Sequence, residues 1–167
     1  PSTSRGWRPA PSGLPATMSI VSTSHIRVTI AAITTKPPVR SRSDRCGVVV
    51  SPDAVLPVIG TKEFVAGLPS WLGVGPQDWV AYPELAYPTY EVGAILAGAQ
   101  TAATDRLDVL GAAPVRLIWV NSPANPTGRV LSVEQLRAIV DWARDRGAIV
   151  ASDECYGEFG WEADPMS

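Results

Sequence analysis

One stretch constrains this chain more than any other, the 42 residues from Val115 to Tyr156. It opens on an apolar run (Val115, Leu117, Ile118, Trp119, Val120) and closes on a second one (Ala148, Ile149, Val150). Between them Ser132-Val133-Glu134-Gln135 reads as a capping box, with Ser132 at the N-cap and Gln135 at N3. Val133, Leu136, Ile139, Val140 and Ala143 then recur at three- and four-residue spacing, so one stripe of a helix is apolar. Glu134, Arg137, Asp141, Arg144 and Asp145 fall away from that stripe as a solvated face, and Gly147 stops the helix. Strand, loop, helix, strand is a parallel crossover, which is nearly always right-handed. A parallel sheet needs cover on both faces, which restricts the fold to the α/β class. Each apolar run delivers a polar cluster: Asn121-Ser122-Pro123-Ala124-Asn125-Pro126-Thr127-Gly128 after the first, Ser152-Asp153-Glu154-Cys155-Tyr156 after the second. Ligands of open parallel sheets bind outside the carboxyl ends of the strands, so these clusters mark the candidate site.

Charge divides the chain in two. Residues 1–47 carry seven Lys/Arg against the single acid Asp44, whereas residues 48–167 carry seven bases against fifteen acids. The first segment is irregular, basic and rich in Pro, Ser and Arg, with no helical period. It reads first as a solvated tail, with one strand-like stretch from His25 to Ile33. An organelle leader would need an amphipathic helical face, and a nucleic-acid arm would need aromatic interleaving; neither is present in it. His25, the only histidine, is assigned no role. No apolar run is long enough to span a bilayer. Cys46 and Cys155 make no disulfide framework, so a reducing, cytoplasmic setting is expected.

Between the two compositions and the crossover lie two further loops of interest. Asp53 to Ile59 reads as a short strand, running into Gly60-Thr61-Lys62-Glu63 and a helix bearing Phe64, Val65, Leu68, Trp71 and Leu72. A glycine that ends a strand and opens a helix gathers free N–H groups at a positive helix end, which suits an anion. The bland alternative is a Thr N-cap followed by a favourable Glu63. Pro69 implies a kink or an early stop. Trp79 to Tyr82 is the next strand, and Pro83-Glu84-Leu85-Ala86-Tyr87-Pro88-Thr89-Tyr90 follows it. Tyr87, held by Pro88 in a loop, has little freedom to lose and suits a flat stacking surface. Tyr90 falls on the following helix and is expected to pack; Tyr82 is expected in the core or at its rim.

Asn-Pro-Thr-Gly at 125–128, followed after one helix by Asp153-Glu154-Cys155-Tyr156, resembles the central signature of the pyridoxal-phosphate-dependent aminotransferases of the aspartate aminotransferase fold. The resemblance covers roughly residues 48–165 and implies a partial large domain of that fold type I architecture, a mostly parallel sheet flanked by helices. It implies pyridoxal 5'-phosphate as cofactor. Asp153 would keep the ring nitrogen protonated, and Asn125 and Tyr156 would donate to the phenolate oxygen. Tyr87 would cover the ring face. Thr61 and Lys62 would hold the phosphate. Cys155 is expected to be a small apolar filler, and Glu154 and Glu158 to face solvent.

The runs Leu56 to Glu63 and Pro83 to Ala94 look most like N-succinyldiaminopimelate aminotransferases. The resemblance then implies transfer of an amino group from glutamate to N-succinyl-2-amino-6-oxopimelate, amino-acid and 2-oxo-acid substrates, and a homodimer with no nucleic-acid or membrane partner. It also implies a Schiff-base lysine beyond the Asp-x-x-Tyr motif and an arginine for the substrate carboxylate. Only Lys36 and Lys62 are present, and neither stands where that lysine belongs. Residues 48–167 are therefore expected to be an incomplete cofactor-binding large domain, its catalytic lysine lying outside this chain. Two other readings stand beside this one: an inactive remnant, and an aminotransferase-like module of a transcription regulator, for which the basic start is the sole support.

Overall fold

The computed structural model describes residues 60–156, Val58, and two strands nearer the start of the chain, Met18–Val21 and Arg27–Ile30. In chain order the elements are β1 (Met18–Val21), β2 (Arg27–Ile30), α1 (Thr61–Trp71), β3 (Trp79–Tyr82), α2 (Thr89–Leu96), β4 (Gln100–Ala103), a 3-10 turn (Leu107–Leu110), β5 (Val115–Asn121), α3 (Val133–Arg146) and β6 (Ile149–Asp153). They form one sheet in the order β1-β2-β6-β5-β3-β4. Only β1 runs antiparallel, against β2; β2–β6, β6–β5, β5–β3 and β3–β4 are all parallel. The chain is α/β, as its periodicity requires. The strand expected over Asp53 to Ile59 lies outside the described residues except for Val58, which packs against the core.

Successive residues of a strand face opposite sides, and β5 uses both. Leu117 and Trp119 point to one face with Val80, Tyr82 and Ala151, where Phe64, Val65 and Leu68 of α1 and Tyr90 and Ala94 of α2 cover them. Ile118 and Val120 point to the other with Ala81, Ala102 and Val115, covered by Leu136, Ile139, Trp142 and Ala143 of α3. Each fully buried Leu or Val here is worth about 2 kcal/mol relative to exposure. α1 and α2 approach closely because residue 93 is glycine: a Cβ there would come within 3.0 Å of the carbonyl oxygens of Val65 and Ala66.

The helix limits follow local chemistry. Ser132 and Gln135 bond each other's backbone N–H reciprocally, and Gly147 closes α3 in the left-handed region at φ 67°. Pro69 sits in the last turn of α1, which ends two residues later. The apolar stripe of α3 is covered less than expected: Ala143 is buried, Val133, Leu136 and Ile139 are half-buried, and Val140 is exposed. Trp142 takes its place against the sheet, because positions 136, 139, 142 and 143 share the face that meets β5.

Candidate active site at the carboxyl edge

Asn121 and Asp153 are the last residues of β5 and β6 and are register partners in the parallel pair. Both are buried, at 4% and 6% exposure. α1 and α2 each lead down into the start of a parallel strand, so their N-termini lie at this same edge of the sheet. That topology gathers the N-terminal turn of α1, the Tyr87 loop, the loop after Asn121 and the segment after Asp153 on one rim.

The Asp153 carboxylate is held from two sides. Its Oδ2 accepts from the Tyr90 hydroxyl at 2.7 Å, and its Oδ1 accepts from the Cys155 N–H at 3.2 Å. Its main-chain carbonyl accepts from Asn121 Nδ2 at 2.9 Å and from the Ser122 N–H at 3.3 Å. No Lys or Arg among the described residues pairs with this carboxylate. Burial, then the Asp153 charge beside it, pushes the Tyr90 hydroxyl far above the ordinary phenol range, so it remains a donor. Tyr90 does pack, as its helical position implied: it is 1% exposed and stacks on Trp119 at 4.9 Å between ring centroids. What sequence reasoning missed is that its polar end reaches Asp153, 63 residues away.

Tyr87 is half-buried and meets Tyr90 edge-on, with centroids 6.5 Å apart and planes at 85°. Tyr156 is 39% exposed and lies close enough to this group for its hydroxyl to be raised, first by the Cys155 thiol, then by burial, by Asp153 and by Tyr87. Tyr87, Tyr90, Asp153 and Tyr156 therefore form one neighbourhood. Asn125 is half-buried and joins the rim through its backbone, whose N–H donates to Asn121 Oδ1 at 2.7 Å. Its loop is pinned by Gly128 N–H to the Ala124 carbonyl at 2.7 Å, by Ala124 N–H to the Arg129 carbonyl at 3.0 Å and by Leu131 N–H to Ser122 Oγ at 3.0 Å. The Ser122–Pro123 and Asn125–Pro126 bonds in it are cis.

Thr61 and Lys62 are the first two residues of α1; Thr61 is half-buried and Lys62 exposed. Gly60, not Thr61, takes the N-cap, at φ 83°, and no side chain caps the first turn, so the bland Thr-cap reading fails. The exposed Glu63 carboxylate curls back towards Gly60, where an added Cβ would collide with it.

Glu154 is 3% exposed and accepts from Ser152 Oγ at 2.8 Å, contrary to the expectation that it faces solvent. It lies two residues beyond Ser152, on the same side of the chain, where burial and the serine hold it. Cys155 is half-buried, and Glu158 lies outside the described residues. A cavity of about 440 Å³ opens between α3 and the loop after β3, lined by Leu85, Arg106, Arg129 and Trp142 and reaching Asn121 and Thr127 of the rim loop. Asp153, Tyr87, Tyr90 and Tyr156 do not line it.

With this geometry in hand, comparison with known proteins defines the class. The family model "Aminotransferase class I and II" matches residues 41–167, and the chain belongs to that family. It is 58% identical over 123 residues to the 4-dedimethylamino-4-oxo-anhydrotetracycline transaminase of Streptomyces rimosus, covering 74% of this chain and 34% of that protein. It is 59% identical over 114 residues to a probable aminotransferase of Mycobacterium tuberculosis, covering 68% of this chain and 27% of that protein. It is 38% identical over 131 residues to the LL-diaminopimelate aminotransferase of Desulforudis audaxviator, covering 71% and 33%. The chain thus spans about a third of the length of the curated relatives it matches.

Among solved structures, the probable N-succinyldiaminopimelate aminotransferase from Thermus thermophilus superposes with a TM-score of 0.68 at 27% identity, over 77% of this chain and 38% of that one. The alanine aminotransferase from Pyrococcus furiosus superposes at 0.70 with 23% identity, over 77% and 36%, a likeness of fold alone. No helix among the described residues is long and apolar enough to cross a membrane.

Proposed function

We propose that residues 48–167 form part of the large domain of an aminotransferase and bind pyridoxal 5'-phosphate at this rim, with residues 1–47 as a basic segment whose strands β1 and β2 extend the same sheet beyond β6. The observation that carries this reading is the Asp153 carboxylate, buried and without a cation among the described residues. A buried charge of that kind is costly until a cation meets it. A protonated ring nitrogen is such a cation, and the carboxylate would hold it protonated. Asn125 and Tyr156 supply an amide and a hydroxyl for the phenolate oxygen, Tyr87 a flat surface for the ring, and Thr61 and Lys62 an uncapped helix start for the phosphate. The donor set therefore fits the group. When bound, pyridoxal phosphate supplies an electron sink for the charge that develops at the substrate's Cα. The chain's own part is to orient the ring, keep its nitrogen protonated and neutralise its phosphate.

Lys62 is the one lysine among the described residues, and it stands exposed at the anion end of α1. The 167-residue chain is accordingly proposed to hold the cofactor without a covalent anchor and not to transfer amino groups by itself. For the whole protein we propose a homodimer that moves an amino group from glutamate to N-succinyl-2-amino-6-oxopimelate, in a cytoplasmic route to diaminopimelate and lysine. The likeness to the probable N-succinyldiaminopimelate aminotransferase supports that acceptor. The exposed Trp71, Val92, Ile95 and Leu96 of α1 and α2 suit a face that a partner covers. A polycyclic ketone is the second reading of the acceptor, favoured by the higher identity, 58%, to the anhydrotetracycline transaminase.

Equilibrium dialysis of the chain against pyridoxal 5'-phosphate tests the cofactor reading. Saturable binding is expected, weakened at least tenfold by Asp153→Ala, as the loss of a buried charge partner implies. After borohydride treatment the cofactor should still dialyse away. Undiminished binding in the Asp153→Ala variant would reject the assignment.

A further inference from the structure

We propose that Tyr90 is the positioning residue of this site: its hydroxyl fixes the Asp153 carboxylate so that the carboxylate can meet a ring nitrogen. This inference rests on the cofactor reading above and adds to it a residue outside the signature motifs.

Three observations converge on Tyr90. Its ring is immobilised, stacked on Trp119 at 28° between planes and met edge-on by Tyr87. Its hydroxyl donates to Asp153 Oδ2 at 2.7 Å in a buried setting. It remains protonated, because burial and the Asp153 charge both oppose loss of its proton. A tyrosine held protonated by burial is a donor, so its partner atom accepts.

The carboxylate has about four acceptor positions over its two oxygens. Tyr90 takes one at Oδ2 and the Cys155 N–H one at Oδ1. The two bonds set the plane of the carboxylate and leave an acceptor position on each oxygen. A carboxylate held by only one of them could rotate about its terminal torsion, which is broad. Pre-orientation of a buried acceptor spares that ordering cost when the cation arrives. Tyr87, which the cofactor reading assigns to the ring face, touches the same Tyr90 ring. One side chain thus sets both the flat surface and the acid against which a heterocycle would lie.

The test uses the full chain and two probes, pyridoxal 5'-phosphate and its 1-deaza analogue, in which carbon replaces the ring nitrogen. Dissociation constants are measured for the unaltered chain and for Tyr90→Phe, which keeps the stack on Trp119 and removes only the hydroxyl. The unaltered chain should prefer the nitrogen-containing probe. In Tyr90→Phe that preference should fall by about tenfold, as expected for one hydrogen bond to a charged group, while the analogue binds as before. A purely structural role would weaken both probes alike. Tyr90→Phe with its preference intact, or with both probes weakened equally, overturns the positioning role and leaves the cofactor reading standing. An unaltered chain that shows no preference overturns the cofactor reading and this inference with it. Thermal melting of both proteins confirms that each is folded.

Discussion

The Asn121 carboxamide joins the ends of β5 and β6: its Nδ2 donates to the main-chain carbonyl of Asp153 at 2.9 Å, and its Oδ1 accepts from the Asn125 N–H at 2.7 Å. One buried side chain therefore sets the spacing of two loops that carry proposed cofactor residues. Asn121→Ala leaves the part-buried Asn125 N–H without its acceptor and the Asp153 carbonyl with the Ser122 N–H alone, at a cost of about 1–3 kcal/mol. Denaturant unfolding should report that loss through a lower midpoint, and cofactor affinity should fall with it. Asn121→Asp should be worse still, since its carboxylate cannot donate to the Asp153 carbonyl.

Alkaline unfolding isolates Tyr90. Its folded pKa is raised, so the stability it contributes is fully present below the unfolded phenol value of about 10 and is lost as pH rises beyond it. The dependence is one proton, about 1.4 kcal/mol per pH unit, until the folded group ionises. Between pH 9 and 11 the unaltered chain should therefore lose about 1.4 kcal/mol more stability than Tyr90→Phe, the slopes differing by a full proton only above about pH 11. Equal slopes would mean that the hydroxyl is not buried against a charge.

Gly93 sets how closely α1 approaches α2, and α2 carries Tyr90. Gly93→Val forces a branched side chain against the backbone carbonyls of Val65 and Ala66, neither of which can swing away. A destabilisation of about 2 kcal/mol is expected, readable as a lower melting temperature, together with weaker cofactor binding as Tyr90 shifts from Asp153.

The capping box of α3 offers a contrast between a bond that matters and one that does not. Ser132→Ala removes the bond to Gln135 and should cost about 1 kcal/mol. Arg144→Ala removes an exposed ion pair with Asp141 at 2.6 Å and should change stability by well under 1 kcal/mol. Paired denaturation curves check both, and equal losses would contradict this ranking.

These residues also mark the limit of legibility from sequence. The capping box, Gly147 and the two apolar runs of the crossover depend on neighbours three to seven residues away, so spacing alone reveals them. The edge at which Asn121 and Asp153 end follows in turn from parallel pairing. Tyr90 was legible as a packing residue and not as a partner of Asp153, because that bond depends on how α2 packs on the sheet and sets the Tyr90 ring on Trp119. Glu154 misled for a similar reason: acids are usually exposed, and its Ser152 partner is visible only once the strand is built. Val140 fits the helical stripe by spacing, yet the sheet meets α3 slightly to one side, on Trp142.

A crystal structure of the chain grown with pyridoxal 5'-phosphate would show whether the Asp153 carboxylate meets the ring nitrogen. The account predicts the ring nitrogen within about 2.7–2.9 Å of the Asp153 carboxylate, the usual length of a charge-assisted bond, with Tyr87 against the ring face and the phosphate at the start of α1. Cofactor bound away from Asp153, or with its ring nitrogen turned towards solvent, would contradict it.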